Sequence, residues 1–513
     1  MAQHAVRSPP ELQQACSVAE AGDVILVYGG LYDKPSVMEK CAGRPDHPIV
    51  FKAADDEWIS GGRSPDPYWG GTTPAQDAPQ KPGVKDFAFL IIDECTHVVI
   101  DGLKIRECWP SILFVKDTRY LQIRNCVWRN GTYAIYAKGE ITSHLLVEDN
   151  EWQQDDSVEH ALWLTLDWER AHGDEGSDGM FRYYNGGFLS SKGIAGKVVV
   201  RRNRIMDAFN GIRMKAGDAT LPAGTLPTVN ADVHIYDNDF VRIRDNPTEP
   251  EVSAYNWHVR HNRLLDCHAW FSFDGVTGGF WYFYGNTAYF RSRQGPPNTF
   301  GHTMGRVLKL SYEQRPPDPE SEGVPIFPWF VFNNSWHLRC PIIGGKNPTV
   351  PTEGEGPDFT AHLDFFNNAF DWCDVGRDGW LCEYIELMHN FDLPRSVGTH
   401  FDYDISDRPD FIAFFANGNG EEHGLVATRP IFKDGVNGDF ALADGSGASR
   451  TGWVRSVDRA ASAPSAFRPQ SDGSVNRGAL QDYGLVQVPD LEVQATELLA
   501  EIVGSSDTIA KAD

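Results

Sequence analysis

Eight times along this chain an alternating apolar and polar run leads into an asparagine, which is followed by a bulky residue and a second short strand. The copies read "LQIRNCVW" (Asn125), "LLVEDNEW" (Asn150), "VVVRRNRI" (Asn203), "VHIYDNDF" (Asn238), "WHVRHNRL" (Asn262), "WYFYGNTAYF" (Asn286), "FVFNNSW" (Asn334) and "LDFFNNAF" (Asn368). From 125 to 150, 238 to 262 and 262 to 286 they stand 24 or 25 residues apart. Period-2 strands recurring at that interval, with one fixed residue at one fixed turn, describe the coil of a solenoid. Few other folds accommodate such a repeat, because each copy is too short to bury its apolar face alone.

Stacked coils pair their strands in parallel, and an asparagine at the same turn of each tolerates the left-handed backbone that a sharp corner demands. Its amide then hydrogen-bonds from coil to coil, so groups buried at the corner find partners. On these residues the chain resembles the right-handed parallel β-helix proteins of the pectate-lyase-like superfamily, many of which carry an asparagine ladder. The resemblance covers residues 20 to 390 and implies an all-β solenoid of about ten coils. It implies no single activity, since lyases, hydrolases, transferases, epimerases and phage tailspikes share the fold.

The ends suit the same architecture. "SPPELQQACSVAEAGD" places Pro near a helix start in an amphipathic run ending in Gly, which predicts a short helix capping the first coil. The expected division is a capped solenoid over 1–390 and a C-terminal extension over 391–513 packed on it, in which "GDFALADGSGASRTG" reads as loop and "DLEVQATELLAEIVG" as one closing helix. No run approaches the roughly 20 apolar residues of a membrane span, and "MAQHAVRSPPELQQ" lacks an apolar signal core. The chain reads as soluble, either intracellular or separated from an export signal. A formal charge of −25 argues against a nucleic-acid partner, and against polyanions unless a local basic patch overrides the field. Nine scattered Cys without C-x-x-C spacing read as reduced, mostly buried thiols. Monomer and side-by-side trimer are both compatible with the pattern.

Four gaps between the asparagines, 150 to 203, 203 to 238, 286 to 334 and 334 to 368, exceed one period by ten residues or more. Insertions of this kind become flanking loops and wall a groove. The strand after each asparagine turn aligns as "AIYAK" (134–138), "ALWLTLD" (161–167), "GIRMK" (211–215), "EPEVS" (249–253), "WFSFD" (270–274) and "RVLKLS" (306–311). Parity sends Leu164, Leu166, Ile212, Met214, Val252 and Phe271 inward. It sends Tyr136, Trp163, Asp167, Arg213, Lys215, Glu251, Trp270, Asp274 and Lys309 outward into a groove walled by the 153–195 and 290–325 insertions.

Carboxylates, cations and aromatic rings on one sheet suit carbohydrate chemistry. Glycoside hydrolysis needs two carboxyl groups about 5 to 9.5 Å apart, depending on the stereochemical course. Glu251 and Asp274, on successive coils, are the preferred acid and base or nucleophile, with Asp167 as a third candidate. Arg213, Lys215, Lys309 and Tyr136 are candidate substrate contacts, and Trp163 and Trp270 candidate sugar platforms. "IRMK" resembles the R-I-K motif of the polygalacturonases, and "QQDDS" (Asp155, Asp156) their D-D pair. Without their N-x-D and G-H-G motifs, only the idea that Arg213 and Lys215 touch substrate carries over. The alternative enzyme is a polysaccharide lyase acting on a uronate, with Lys215 or Lys309 as base and a Ca²⁺ loop at "HGDEGSDG" (Asp174, Glu175, Asp178). A carbohydrate-binding or tailspike-like solenoid is the alternative outside enzymes. His160, His172, His258 and His268 follow no ligand spacing and read as turn or ladder residues, so no transition metal is expected.

Overall fold

The computed structural model describes residues 1–63, 83–156, 161–172, 181–217, 229–273, 277–292, 297–298, 301–302, 305–310, 329–340, 342–345, 363–372, 400–416, 421–428, 430–448 and 489–503. Three long sheets, two of thirteen strands and one of ten, account for nearly all the described strands. Neighbouring strands within them pair in parallel. The chain visits the sheets in turn: Ser143–Glu148 lies in the first, Glu151–Gln153 in the second and Gly187–Lys192 in the third, before Gly196–Arg201 re-enters the first beside its predecessor. This is the right-handed parallel β-helix that the repeat predicts. It is longer than about ten coils over 20–390, because the first sheet runs from Gln3–Val6 to His400–Asp402 and the second reaches Leu425–Val426. Those terminal coils lack the asparagine that marks the others.

Register is kept from coil to coil, so each inward position forms a column. Leu145, Val198, Val233, Trp257, Trp281 and Trp329 follow one another in pairing, each at most 2% exposed. The core thus passes from aliphatic to indole packing toward the C-terminal coils. The seven described cysteines are free thiols, and six of them are buried. No described helix is long and apolar enough to cross a membrane.

The ladder forms between the first and second sheets. The Nδ2 of Asn150, Asn203, Asn238, Asn262, Asn286 and Asn334 each donates to the Oδ1 of the next asparagine, ending on Asn368, at 2.9–3.1 Å. The same Oδ1 accepts the preceding asparagine's backbone N–H. Asn368 hands on to Asp404 Oδ1 at 3.0 Å, a rung that the repeat did not reveal. Asn125 is not a rung: Cys126 holds that place, its N–H bonded to Asn150 Oδ1 at 2.9 Å, while Asn125 bonds Asp101 at the surface. The left-handed residue is the one before each ladder position, as at Asn125 (φ 56°), Asp149 (56°), Arg202 (53°), Asp237 (56°) and His261 (53°). Asparagine is therefore needed on the ladder for its amide, not for the turn's backbone.

Helix α1 (Pro9–Val18) packs Leu12, Ala15 and Cys16 into the first coils. Its Gln13 amide bonds both backbone groups of Val37. The C-terminal helix Pro489–Val503 forms as predicted but closes no end. It lies across Arg119–Arg124, Ser143–Glu148 and Gly196–Arg201 of the first sheet. Leu498 and Ile502 rest there on Leu146, Val199 and Tyr236, and Glu501 bonds Lys197 and His144. "ALWLTLD" is not a strand. It forms α2 (Ala161–Thr165), which leads into α3 (Trp168–His172), and the strand of that coil is Gly187–Lys192. Leu162 and Leu166, four residues apart, are buried, and Leu164 is 41% exposed. So short an alternating run satisfies the helical period as well as the strand period, and the helical one prevails.

Candidate active site

The third sheet presents two columns on its outer face. One runs in register through Phe114, Tyr136, Ser190, Arg213 and Glu249. Beyond the Thr248–Phe271 pair it continues one residue on, through Ser272 and Lys309. The other column, two residues further along each strand, runs Asp93, Lys116, Lys138, Lys192, Lys215 and Glu251. Side chains two apart share a face, so both columns point away from the core.

Arg213 ties the columns together. Its Nη2 and Nε lie 2.6 and 3.0 Å from Glu251 Oε1, its Nε 3.3 Å from Glu249 Oε2, and its Nη1 donates to Asn185 Oδ1 at 2.8 Å. Lys309 Nζ lies 3.9 Å from Glu249 Oε1 and 3.6 Å from Asp245 Oδ1. Helix α3 roofs this end of the sheet. The Trp168 ring is 5.8 Å from Lys309 Nζ, and His172, stacked on Trp168, reaches within 3.8 Å of Asp245. Arg244 Nε donates to Leu166 O at 2.6 Å and fixes the α2–α3 segment to the strand end. Glu249, Asp245 and Lys309 are buried, whereas the side chains of Glu251 and Arg213 are 20% and 28% exposed. The cluster thus has a covered end and an open one.

Burial sets the protonation pattern. It pushes the Glu249 carboxyl up to about 7, against the pull of Arg213 and Lys309 and with the help of the neighbouring carboxylates Glu251 and Asp245. Burial also opposes ionisation of Asp245, but the Lys309 ammonium overcomes it and holds Asp245 below the ordinary carboxylate range. Burial lowers His172 to about 4, so it is neutral at neutral pH. Glu249 and Glu251 both meet Arg213 Nε, so the two contacting oxygens can be no farther apart than those two distances together. A retaining pair, with carboxyls about 5 Å apart, fits within that upper bound.

Of the residues predicted from sequence, Tyr136, Arg213, Lys215, Glu251 and Lys309 lie together on this face. Asp274 lies outside the described residues, as do Asp174, Glu175, Asp178 and His160. Asp167 does not point from the sheet; its Oδ1 accepts the N–H groups of Glu169 and Arg170 and caps α3. Trp163 and Trp270 are no sugar platforms, being 1% exposed within the core. The Trp270 indole donates to Cys267 O, because the strand runs with Phe271 paired to Thr248 and the ring packs on Phe290 and Trp336. Val252, predicted inward, is 37% exposed with φ 72°, since the strand stops at Glu251. His258 stacks between His234 and Tyr282 as a ladder residue, and His268 is buried near Asp245. His172 belongs to the site instead. Replacing Asp167 by Ala is expected to cost about 0.5–2 kcal/mol through the lost cap, read as a lower denaturation midpoint.

Glu249 and Asp245 were not singled out from the sequence, and His172, read there as a turn or ladder residue, lies instead in α3 against Trp168 and Asp245. Glu249 was legible, because E-P-E on the coil after R-M-K gives two carboxylates of the same parity as Arg213 and Lys215. Asp245 and His172 were not, since they arrive from a turn and from an insertion.

No protein-family model matches the chain, and no curated protein matches it. Solved structures do. An alginate lyase from Paenibacillus sp. str. FPU-7 is 10% identical, with a TM-score of 0.37 over 67% of this chain and 98% of the other. A mannuronic acid specific polysaccharide family 6 lyase from human gut microbiota is 12% identical, with a TM-score of 0.39 over 78% and 96%. A family 28 exopolygalacturonase from Yersinia enterocolitica is 10% identical, with a TM-score of 0.33 over 69% and 74%. These similar proteins include both lyases and hydrolases of carbohydrates.

Proposed function

We propose that the chain is a glycan-degrading hydrolase in which Glu249 is the general acid and Glu251 the second carboxylate. The observation that carries this reading is the meeting of both carboxyls on the Arg213 guanidinium, with burial pushing Glu249 up to about 7. A carboxyl that keeps its proton near neutrality, beside a second on the solvent side, is the division of labour that glycoside hydrolysis requires.

Glu249 gives its proton to the departing glycosidic oxygen. The charge left on it faces Arg213 at 3.3 Å and Lys309 at 3.9 Å, which stabilise it as it forms. Asp245 balances Lys309 from the other side. Glu251, at the open end, attacks the sugar or activates water. Elimination with Lys309 as base would first have to deprotonate an ammonium that faces the Asp245 carboxylate at 3.6 Å.

The test is incubation with a panel of polysaccharides, following reducing ends together with the ultraviolet absorbance of unsaturated products. Reducing ends without absorbance support the hydrolase. Both rising together would replace it with the lyase, and binding without either would leave a carbohydrate-binding solenoid.

A further inference from the structure

The column beside the acids has a composition that folding alone does not favour. Lys116, Lys138, Lys192 and Lys215 occupy the same position in four successive coils of the third sheet. Like charges directly opposite one another on neighbouring strands are destabilising. The chain holds 71 acidic residues against 46 basic ones, yet no carboxylate stands in register within this run. Acids bound it at both ends, Asp93 next to Lys116 and Glu251 next to Lys215. Lys116 is ion-paired to Asp93 and Asp117. Lys138 and Lys192 are exposed, and Lys116 and Lys215 half-buried.

Parallel strands repeat about every 4.8 Å, close to the length of one sugar residue in an extended glycan. A chain lying along the solenoid axis would therefore bring one residue to each coil and one ammonium to each residue. The adjoining column offers what a sugar ring uses. Tyr136, half-buried, lies stacked on Phe114 with ring centroids 6.1 Å apart. Ser190 Oγ, next in register, is buried without a hydrogen-bond partner among the described residues. The following residue in that column is Arg213, so the track leads to the acids.

We propose that these four lysines form the binding track for an acidic glycan, with one carboxylate or sulfate per sugar residue. The glycan runs along the axis from the Lys116 coil to the Glu251 coil. The track rests on the reading of Glu249 and Glu251 as the cleavage site only for where the glycan leads, and the charge pattern carries the rest. A finite run of four predicts that affinity rises with oligomer length up to four acidic residues on this side and then levels.

The test uses the full chain carrying Glu249→Gln, titrated with polygalacturonate as the carboxylate probe, dextran sulfate as the sulfate probe and dextran as the neutral one, across a salt series. Binding of one or both polyanions, weakening with salt, is expected, and the stronger of the two identifies the charged group. Adding Lys138→Ala and Lys192→Ala together should weaken that binding at least tenfold at low salt and flatten its salt dependence, with Lys→Arg at both positions restoring it. Polyanion binding unchanged by the double alanine variant, or dextran bound as tightly as the polyanions, would overturn the track. If the track is overturned while the unmodified chain hydrolyses a neutral glycan, the catalytic reading stands without it. Polyanion binding with no bond cleavage by the unmodified chain would remove the catalytic reading and keep the track.

Discussion

Glu249→Gln should lower kcat by about 10²–10⁴-fold, the usual worth of a positioned general acid, while the variant folds and binds. The amide keeps the volume of the carboxyl but cannot donate a proton as an acid or carry its charge. Because the acid must be protonated to act, and burial places Glu249 at about 7, turnover of the unmodified chain should fall about tenfold per pH unit above that point. The residual turnover of the variant should lack this alkaline limb. Stability gives a second reading of the same group. A carboxyl whose value is raised on folding contributes stability that is complete below the ordinary range near 4.5 and is lost as pH rises through about 7. Denaturation midpoints should therefore decline across that window more steeply for the parent than for the variant. Near-parental turnover in Glu249→Gln, or an unchanged alkaline limb, would take the acid role from Glu249.

What the sequence made legible followed from repetition. Seven of the eight asparagines form one ladder because their amides and the surrounding strand period repeat together, and the eighth failed by a single position. In "RNCVW" the asparagine fills the left-handed slot and Cys126 the ladder slot, a distinction visible only once coil registers are known. Arg213, Lys215 and Glu251 were found by parity on strands of ordinary length. Trp163 and Asp167 were misplaced because "ALWLTLD" satisfies two periods, and the coil's true strand, "GFLSSK", comes after an insertion. Asp245 and His172 reach the site from a turn and from α3, elements with no fixed phase relative to the repeat. A solenoid's sequence thus reports its scaffold well and reports poorly whatever its insertions deliver to a site.

Asn262→Ala should destabilise the fold by about 2–4 kcal/mol, read as a lower denaturant midpoint at constant slope. Asn262 is 1% exposed and joins two rungs: its Oδ1 accepts from the Asn238 backbone N–H and Nδ2, and its Nδ2 donates to Asn286 Oδ1 and Ile235 O. Alanine leaves the Asn238 N–H buried without an acceptor, which alone costs about 1–3 kcal/mol, and the vacated amide adds a small cavity. Asn125 tests whether ladder position or asparagine itself matters. Its side chain makes one surface bond, to Asp101, and its φ of 56° suits glycine, so Asn125→Gly should change stability by no more than about 0.5 kcal/mol. A tolerated Asn262→Ala beside a damaging Asn125→Gly would mean that the corner is held by its backbone conformation and that the amide ladder is incidental to stability. The expected order places the energy in the chain of amides from Asn150 to Asn368, ended by the Asp404 carboxylate, which holds successive coils in the register that sets Arg213 beside Glu249 and Lys215 beside Glu251.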